Sequence, residues 1–325
     1  MPEPLLEVTD LSVDYLTEAA DVRAVDRVSF TVEPREFLGI VGESGCGKST
    51  LLFGAAQLLS PPGEVVGGTV IFRGLDMVRI NRNELQHMRW RDYSVVMQSA
   101  MNALNPMKSI GAQFKDALQA HGTTSKEEIG QRSTEVLSLV GIDAAHLGSY
   151  PHQLSGGMRQ RAMIAMALLF TPQLVMMDEP TSALDVVAQR SLMTKIRDLQ
   201  RRLGFAVIFV THDMSVVSRY SDRVIVMYAG QIVEAAPTES IFDRPQHPYT
   251  RGLMDAFPSI RGPRRKLAGI PGSPPDLARP PMGCRFHPRC PEVMPECLTR
   301  APELYRVDDA SVRCLLYSEQ AKEAV

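Results

Sequence analysis

Four short groups of residues in this chain can do chemistry. The first is Gly42-Glu43-Ser44-Gly45-Cys46-Gly47-Lys48-Ser49-Thr50, which fits the pattern G-x-x-x-x-G-K-[ST] between the apolar run EFLGIVG and the helix-spaced run KSTLLFGAAQLL. Its glycines let consecutive backbone N–H groups curl around phosphate oxygens. The helix that follows points its positive end at the same anion. Lys48 is placed to reach β- and γ-phosphates, and the Ser49 hydroxyl to ligate Mg²⁺. The second group is Leu174-Val-Met-Met-Asp178-Glu179-Pro180, an apolar strand ending in two acids. Asp178 can hold Mg²⁺ beside the phosphates, and Glu179 can polarise an attacking water as a general base. The third is Leu154-Ser155-Gly156-Gly157-Met158-Arg159-Gln160. Here Ser155 is a helix N-cap candidate, and Gly156 and Gly157 allow an anion to approach free N–H groups. The fourth is Cys284-x₅-Cys290-x₆-Cys297-x₁₆-Cys314, with His287 between the first two cysteines. This spacing does not fit the short C-x₂-C knuckles of common zinc sites. Four thiolates suit iron–sulfur or zinc alike, and small buried hydrophobes are the other reading. The fifth cysteine, Cys46, lies in the phosphate loop, where its side chain is incidental.

The elements that must position these groups follow from hydrophobic periodicity. LLEVTDLSVDYL and VRAVDRVSFTV alternate apolar and polar residues and predict half-buried antiparallel strands. EFLGIVG, YSVVMQ, LVMMDEP and AVIFVTHD predict buried strands, and RVIVMYAGQIVEAA a hairpin turning at Ala229-Gly230. Helices are expected in NELQHMRWRD, in several pieces from about Ile110 to Ser149 with starts near Ser109 and Ser125, at Met158 to Phe170, and at Val187 to Leu203. Apolar strands alternating with helices imply an α/β fold whose sheet is mainly parallel and covered on both faces, with the opening strands as a side sheet. After about Pro258 the character changes, and GIPGSPPDLARPPMG predicts a linker or extended wrap.

The chain has 325 residues, of which 44% are hydrophobic and 22% charged, so it can build a core. A net charge of -2 argues against a nucleic-acid binder acting through bulk positive charge. Five cysteines, an odd count, and an N-terminus without a signal-peptide pattern argue against a disulfide framework. No apolar run approaches a membrane span. The expectation is a cytoplasmic protein that reaches a membrane through partners.

The first two groups are those of a P-loop NTPase, and the third resembles the signature of ABC ATPases. Further residues match that family in order: Gln98 its Q-loop glutamine, Ser182-Ala183-Leu184-Asp185 its D-loop, His212 its switch histidine, and Tyr15 its adenine-stacking aromatic. The resemblance runs from about Leu5 to the Pro258 region, with one departure: Met158 stands where LSGGQ has glutamine, and a thioether cannot donate a hydrogen bond. Gln246-His247-Pro248-Tyr249-Thr250 and the cysteine tail resemble the extension of oligopeptide, dipeptide and nickel importer ATPases, where such cysteines bind a [4Fe–4S] cluster.

The resemblance implies an ABC-type ATPase domain over 1–258, a helical signature subdomain at about 99–165 and a small C-terminal extension over 259–325. It implies an ATP site made by Tyr15, Gly42, Ser44, Gly45, Cys46, Gly47, Lys48, Ser49, Thr50, Gln98 and His212, with Ser155, Gly156, Gly157 and Asp185 acting across a head-to-tail pair of ATPase subunits. Mg²⁺ is implied at Ser49, Gln98 and Asp178. The implied partners are a second, paralogous ATPase, two membrane permeases and an extracytoplasmic binding protein, with no nucleic acid. The chain would sit on the cytoplasmic face of the membrane and energise import of peptides. Oligosaccharides or nickel chelates are the alternative cargo. A soluble ABC protein acting on DNA or ribosomes is the rival reading; it is disfavoured by the single motif set and the absence of long insertions.

Overall fold

The computed structural model describes residues 3–18, 20–98, 104–182, 184–256 and 269–318. The start of the expected helical subdomain, Ala183 of the D-loop and the stretch around Pro258 lie outside these. The chain forms two units, one of Met1–Val32, Leu38–Val78 and Val210–Val325, the other of Glu33–Phe37 and Arg79–Phe209.

In the first unit, β1 (Leu6–Tyr15), β2 (Val22–Val32), β4 (Gly63–Phe72) and β5 (Leu75–Asp76) form an antiparallel sheet in the order β2-β1-β4-β5. Leu6, Val8, Leu11 and Val13 are its buried apolar residues on β1. Their phase changes because the register shifts between Val8 and Leu11, with Asp10 in the left-handed region at φ 49. This is the expected side sheet, but β4 was not anticipated. Its sequence GEVVGGTVIF hides a two-residue period behind three glycines.

β3 (Phe37–Val41) is buried throughout and runs parallel to β9 (Arg223–Tyr228), which turns back antiparallel into β10 (Gln231–Pro237). Ala229 and Gly230 both have positive φ, 47 and 82, as a two-residue hairpin turn demands, so the expected turn is where the sequence puts it. The helices of this unit are α1 (Lys48–Ala55), α7 (Met214–Tyr220), α8 (Thr238–Asp243) and α9 (Pro248–Asp255). α1 is shorter than its helical pattern suggests, because Gln57 is left-handed at φ 53 and Pro61-Pro62 follow. Residues 269–283 carry no helix or strand. Beyond them β11 (Tyr305–Val307) pairs with β12 (Ala310–Val312), and β12 pairs antiparallel with β10. The tail therefore extends this unit's own sheet.

In the second unit the parallel pair β6 (Tyr93–Val96) and β7 (Leu174–Asp178) is followed by β8 (Ala206–Thr211) at the other edge of β7. Its helices are α2 (Arg82–Met88), α3 (Ile110–Ala120), α4 (Lys126–Leu139), α5 (Gly156–Ala167) and α6 (Val186–Leu203). The expected starts are present: Ser109 and Ser125 accept hydrogen bonds from the N–H groups of Ala112 and Glu128. α6 buries Leu192, Met193, Ile196 and Leu199 on one face and ends at Gly204, with Arg201 and Arg202 in its last turn, where cations favour the dipole. α2 stops short of the expected NELQHMRWRD because Arg89 is extended and Trp90 left-handed at φ 70. Among the described residues no helix is long and apolar enough to cross a membrane.

His247 anchors α9. Its Nδ1 accepts the Tyr249 N–H at 3.0 Å, and the Glu234 carboxylate accepts the N–H groups of Gln246 and His247, both at 2.8 Å. Burial lowers the imidazole to about 3, while burial raises the Glu234 carboxyl. Below pH ~6.5 the unfolded chain takes up a proton on this histidine that the folded chain refuses, so stability falls toward pH 3. Between pH 6.5 and 5 the loss is about 2 kcal/mol, at ~1.4 kcal/mol per pH unit. Glu234 titrates with the opposite sign, so the comparison must isolate the imidazole. His247→Asn, which keeps a capping oxygen, is expected to remove about that much of the pH dependence in denaturant melts at pH 7 and 5. Parallel curves for the two proteins would refute the assignment.

Candidate nucleotide site

The phosphate loop hangs between β3 and α1. Two of its glycines are forced by close backbone approach: a Cβ on Gly42 would lie 2.2 Å from the Met227 carbonyl oxygen, and one on Gly47, at φ 99, 2.2 Å from that of Ala24. Lys48 is buried, and its Nζ donates to the carbonyls of Gly42 and Glu43, both at 2.9 Å. Its ammonium thus ties the two ends of the loop's first peptides together. Cys46 is buried beneath the loop, with Sγ 3.8 Å from the Lys48 Nζ. Burial pushes its thiol up against the opposing pull of Lys48, which keeps it protonated. The Cys46 carbonyl accepts the Gly230 N–H at 2.9 Å, so the β9–β10 turn supports the loop from below. Ser44 and Gly45 are exposed at its crest, and Ser49 and Thr50 are half-buried behind it. Tyr15, half-buried at the end of β1, meets the Thr50 hydroxyl at 3.1 Å. His212, in the same unit, is exposed just after β8. It is followed by Asp213, whose side chain caps α7 through the Ser215 N–H at 2.9 Å.

The second unit assembles the other group. Asp178 ends β7 and is buried, 2% exposed. Glu179 follows in the left-handed region at φ 43, a conformation that costs a side-chain-bearing residue about 1–2 kcal/mol. Gln98 Nε2 donates to Glu179 Oε2 at 2.7 Å. α5 begins at the expected cap, with Ser155 Oγ accepting the Met158 N–H at 3.3 Å, which leaves Gly156 and Gly157 in the first turn. Asp185 caps α6 by accepting the Ala188 N–H at 2.8 Å. One residue that sequence reasoning passed over is Gln160. Buried at 4% exposure, its Nε2 donates to the Pro180 carbonyl at 2.6 Å and ties α5 to the turn after Glu179. Flanked by Arg159 and Arg161, it carries no sign of burial in the sequence. The structure brings together Gln98 with Glu179 and α5 with Pro180 in this unit, and Lys48, Cys46, Tyr15 and Thr50 in the other.

The tail cysteines are all free; Cys284 and Cys290 are half-buried, Cys297 and Cys314 buried. The Cys284 N–H donates to the Cys297 carbonyl at 2.9 Å. Burial and then mutual charge push the Cys290 thiol up to about 11 and that of Cys314 to about 12, and Cys284 is raised in the same way. The thiols therefore share one neighbourhood. Among the described residues, however, no group of three or more His, Cys, Asp or Glu side chains is placed to hold a metal ion. His287 turns its Nδ1 to the Cys284 carbonyl at 2.9 Å.

The ABC transporter family profile matches residues 25–182, and that of the oligopeptide/dipeptide transporter C-terminal region matches residues 233–297. The chain is 41% identical over 318 residues to the dipeptide transport ATP-binding protein DppD of Caldanaerobacter subterraneus subsp. tengcongensis, covering 97% of this chain and 98% of that protein. It is 42% identical to DppD of Bacillus subtilis, over 99% of this chain and 98% of that one. Against the oligopeptide transport ATP-binding protein OppD of Salmonella typhimurium the identity is 42%, over 93% and 91%. Among solved structures, the dimeric post-hydrolysis state of the ATP-binding cassette MJ0796, bound to ADP and Pi, aligns with a TM-score of 0.65 at 27% identity, covering 72% of this chain and 98% of that chain. The fold and these full-length matches agree on one conclusion: the chain belongs to the ATP-binding subunits of the ABC transporter family, ATPases of the group that carries the oligopeptide/dipeptide C-terminal region.

Proposed function

We propose that this chain binds and hydrolyses ATP to energise import of peptides by a membrane transporter. The observation that carries the hydrolytic reading is the 2.7 Å hydrogen bond from Gln98 to Glu179, which orients the carboxylate at the end of β7. Peptide as cargo is supported by the relatives named for dipeptide and oligopeptide transport, matched along nearly their whole length.

In this reading Tyr15 stacks on the adenine, and the N–H groups of Gly42–Gly47 with Lys48 take the phosphates. Glu179 draws a proton from the attacking water, and His212 holds the γ-phosphate. Ser49, Gln98 and Asp178 present oxygen donors, the hard ligands that suit Mg²⁺. An ion held there would supply positive charge against that developing on the phosphate oxygens. Ser155, Gly156, Gly157 and Asp185 serve the nucleotide of a second ATPase subunit, with Met158 contributing backbone only. Two permeases and an extracytoplasmic binding protein complete the machine, with this chain peripheral on the cytoplasmic face.

The finer assignment of the tail is a [4Fe–4S] cluster on Cys284, Cys290, Cys297 and Cys314. It is supported by the closeness of the cysteines: burial and then the charge of neighbouring cysteines raise the thiols of Cys284, Cys290 and Cys314. Cationic iron shared among the thiolates would offset their burial and mutual repulsion.

The test is to isolate the assembled complex anaerobically from native membranes and identify its subunits, ligand and metal. Two permeases, a second ATPase and a peptide-loaded binding protein are expected, with iron and a broad visible absorbance. A sugar or metal chelate changes the cargo, and ribosomal or DNA-repair partners without a permease overturn the transport reading. Protein without iron or visible absorbance removes the cluster.

A further inference from the structure

Glu43, the second residue of the phosphate loop, is gripped twice by residues from the C-terminal part of the chain. Its backbone N–H donates to the Tyr249 hydroxyl at 2.9 Å. Its carboxylate takes both arms of the Arg289 guanidinium, at 2.7 and 3.0 Å, a bidentate pair. Arg289 immediately precedes Cys290, and its side chain is only 5% exposed. Its remaining donor capacity goes to the Pro271 carbonyl at 2.7 Å, the Tyr228 hydroxyl at 3.3 Å and the carbonyls of Gly272 and Ile270 at 3.4 and 3.5 Å. Tyr228, Tyr249 and Phe286 pack as a ring cluster beside this pair, with centroids 4.6 to 5.4 Å apart. Arg285, from the same loop, donates to the Ala229 carbonyl and to Asp26. It thereby holds the turn whose Gly230 N–H supports Cys46.

Two consequences follow for a phosphate site. The Glu43 carbonyl accepts Lys48 Nζ at 2.9 Å and the Cys46 N–H at 3.3 Å, so fixing Glu43 at its N–H and carboxylate fixes the peptide that aims the lysine and closes the turn. A carboxylate in the loop also repels an incoming polyanion unless its charge is cancelled. Arg289 cancels it from the side away from solvent.

We propose that Arg289 is a positioning residue for the phosphate loop, holding Glu43 in place and neutralising it, so that the cysteine-bearing extension sets the affinity of the site for nucleoside triphosphate. This rests on the reading of Gly42–Thr50 as the ATP-binding loop. Arg289 touches no reacting atom and acts through Glu43.

The test is calorimetric titration of the full chain with Mg·ATP, with melting temperatures measured in parallel. Arg289→Ala is expected to weaken ATP binding about ten-fold, because it leaves Glu43 unpaired beside the phosphates. Adding Glu43→Gln to that variant is expected to restore affinity to within about three-fold, although the extension has lost its anchor. Should the alanine variant fold poorly, Arg289→Gln keeps the aliphatic stem and an amide donor without the charge, and is expected to give the same loss and the same rescue. Unchanged binding in Arg289→Ala overturns the proposal. So does a double variant as weak as the single, with affinity following melting temperature, since Arg289 then only docks the tail. Lys48→Ala is the control: if it binds ATP normally, the phosphate-loop reading fails and takes the proposal with it. Lost binding there with normal binding in Arg289→Ala sinks the proposal alone.

Discussion

Glu179→Gln is expected to leave ATP binding intact and to slow its turnover by about 10²–10³-fold. The substitution removes the group able to accept a proton from water but keeps the side chain's length and shape. The 2.7 Å bond from Gln98 survives, because a glutamine at 179 still offers a carbonyl oxygen to the Gln98 amide. The left-handed backbone at φ 43 is no harder for glutamine than for glutamate, so no change in fold stability is expected. On the proposed pairing, ATP that binds and is not consumed would keep the two ATPase subunits joined, so the variant mixed with its partner ATPase is expected to gain mass in light scattering on adding Mg·ATP. Phosphate release at the wild-type rate would exclude Glu179 as the base.

Lys48→Ala is expected to weaken ATP binding by about 10- to 100-fold, the value of one or two charge-assisted hydrogen bonds to phosphate oxygens at ~1.4 kcal/mol per factor of ten. Part of the loss arises within the loop, where the carbonyls of Gly42 and Glu43 lose the ammonium that both accept at 2.9 Å. Lys48→Arg is no remedy, because the longer planar guanidinium does not fit a site where the lysine is only 6% exposed. Titration with ATP, with melting temperatures as a check on folding, separates the two variants: Lys48→Ala loses binding, Glu179→Gln loses turnover. Equal affinity in Lys48→Ala and wild type would remove the phosphate role of the lysine.

Peripheral parts of the chain behave as their local sequence says, and the reason is distance along the chain. Ser109, Ser125 and Ser155 cap helices by contacts to N–H groups three residues on, and Ala229-Gly230 turns a hairpin through its own backbone angles. The phosphate loop is likewise a local object, strand to turn to helix within one short stretch, so its residues are legible in the sequence alone.

The sequence could not show what brings remote residues together. Gln98 meets Glu179 across 81 positions, and Arg289 meets Glu43 across 246, because strand order and the path of the tail carry them there. Gln160, in a motif read for its glycines, is committed by burial to the Pro180 carbonyl. The strand at Gly63–Phe72 became a strand because β1 offered it partners, despite three glycines that weaken its own preference. Likewise β12 adds to β10, so the cysteine tail is continuous with a sheet rather than a loose appendage. The sequence by itself determined which residues could bind phosphate and move a proton, since those depend on side-chain chemistry and short-range geometry. Only the tertiary structure decided which of them touch, and that Glu43, an unassigned position in the motif, is held by an arginine beside Cys290, because such pairings depend on packing over the whole chain.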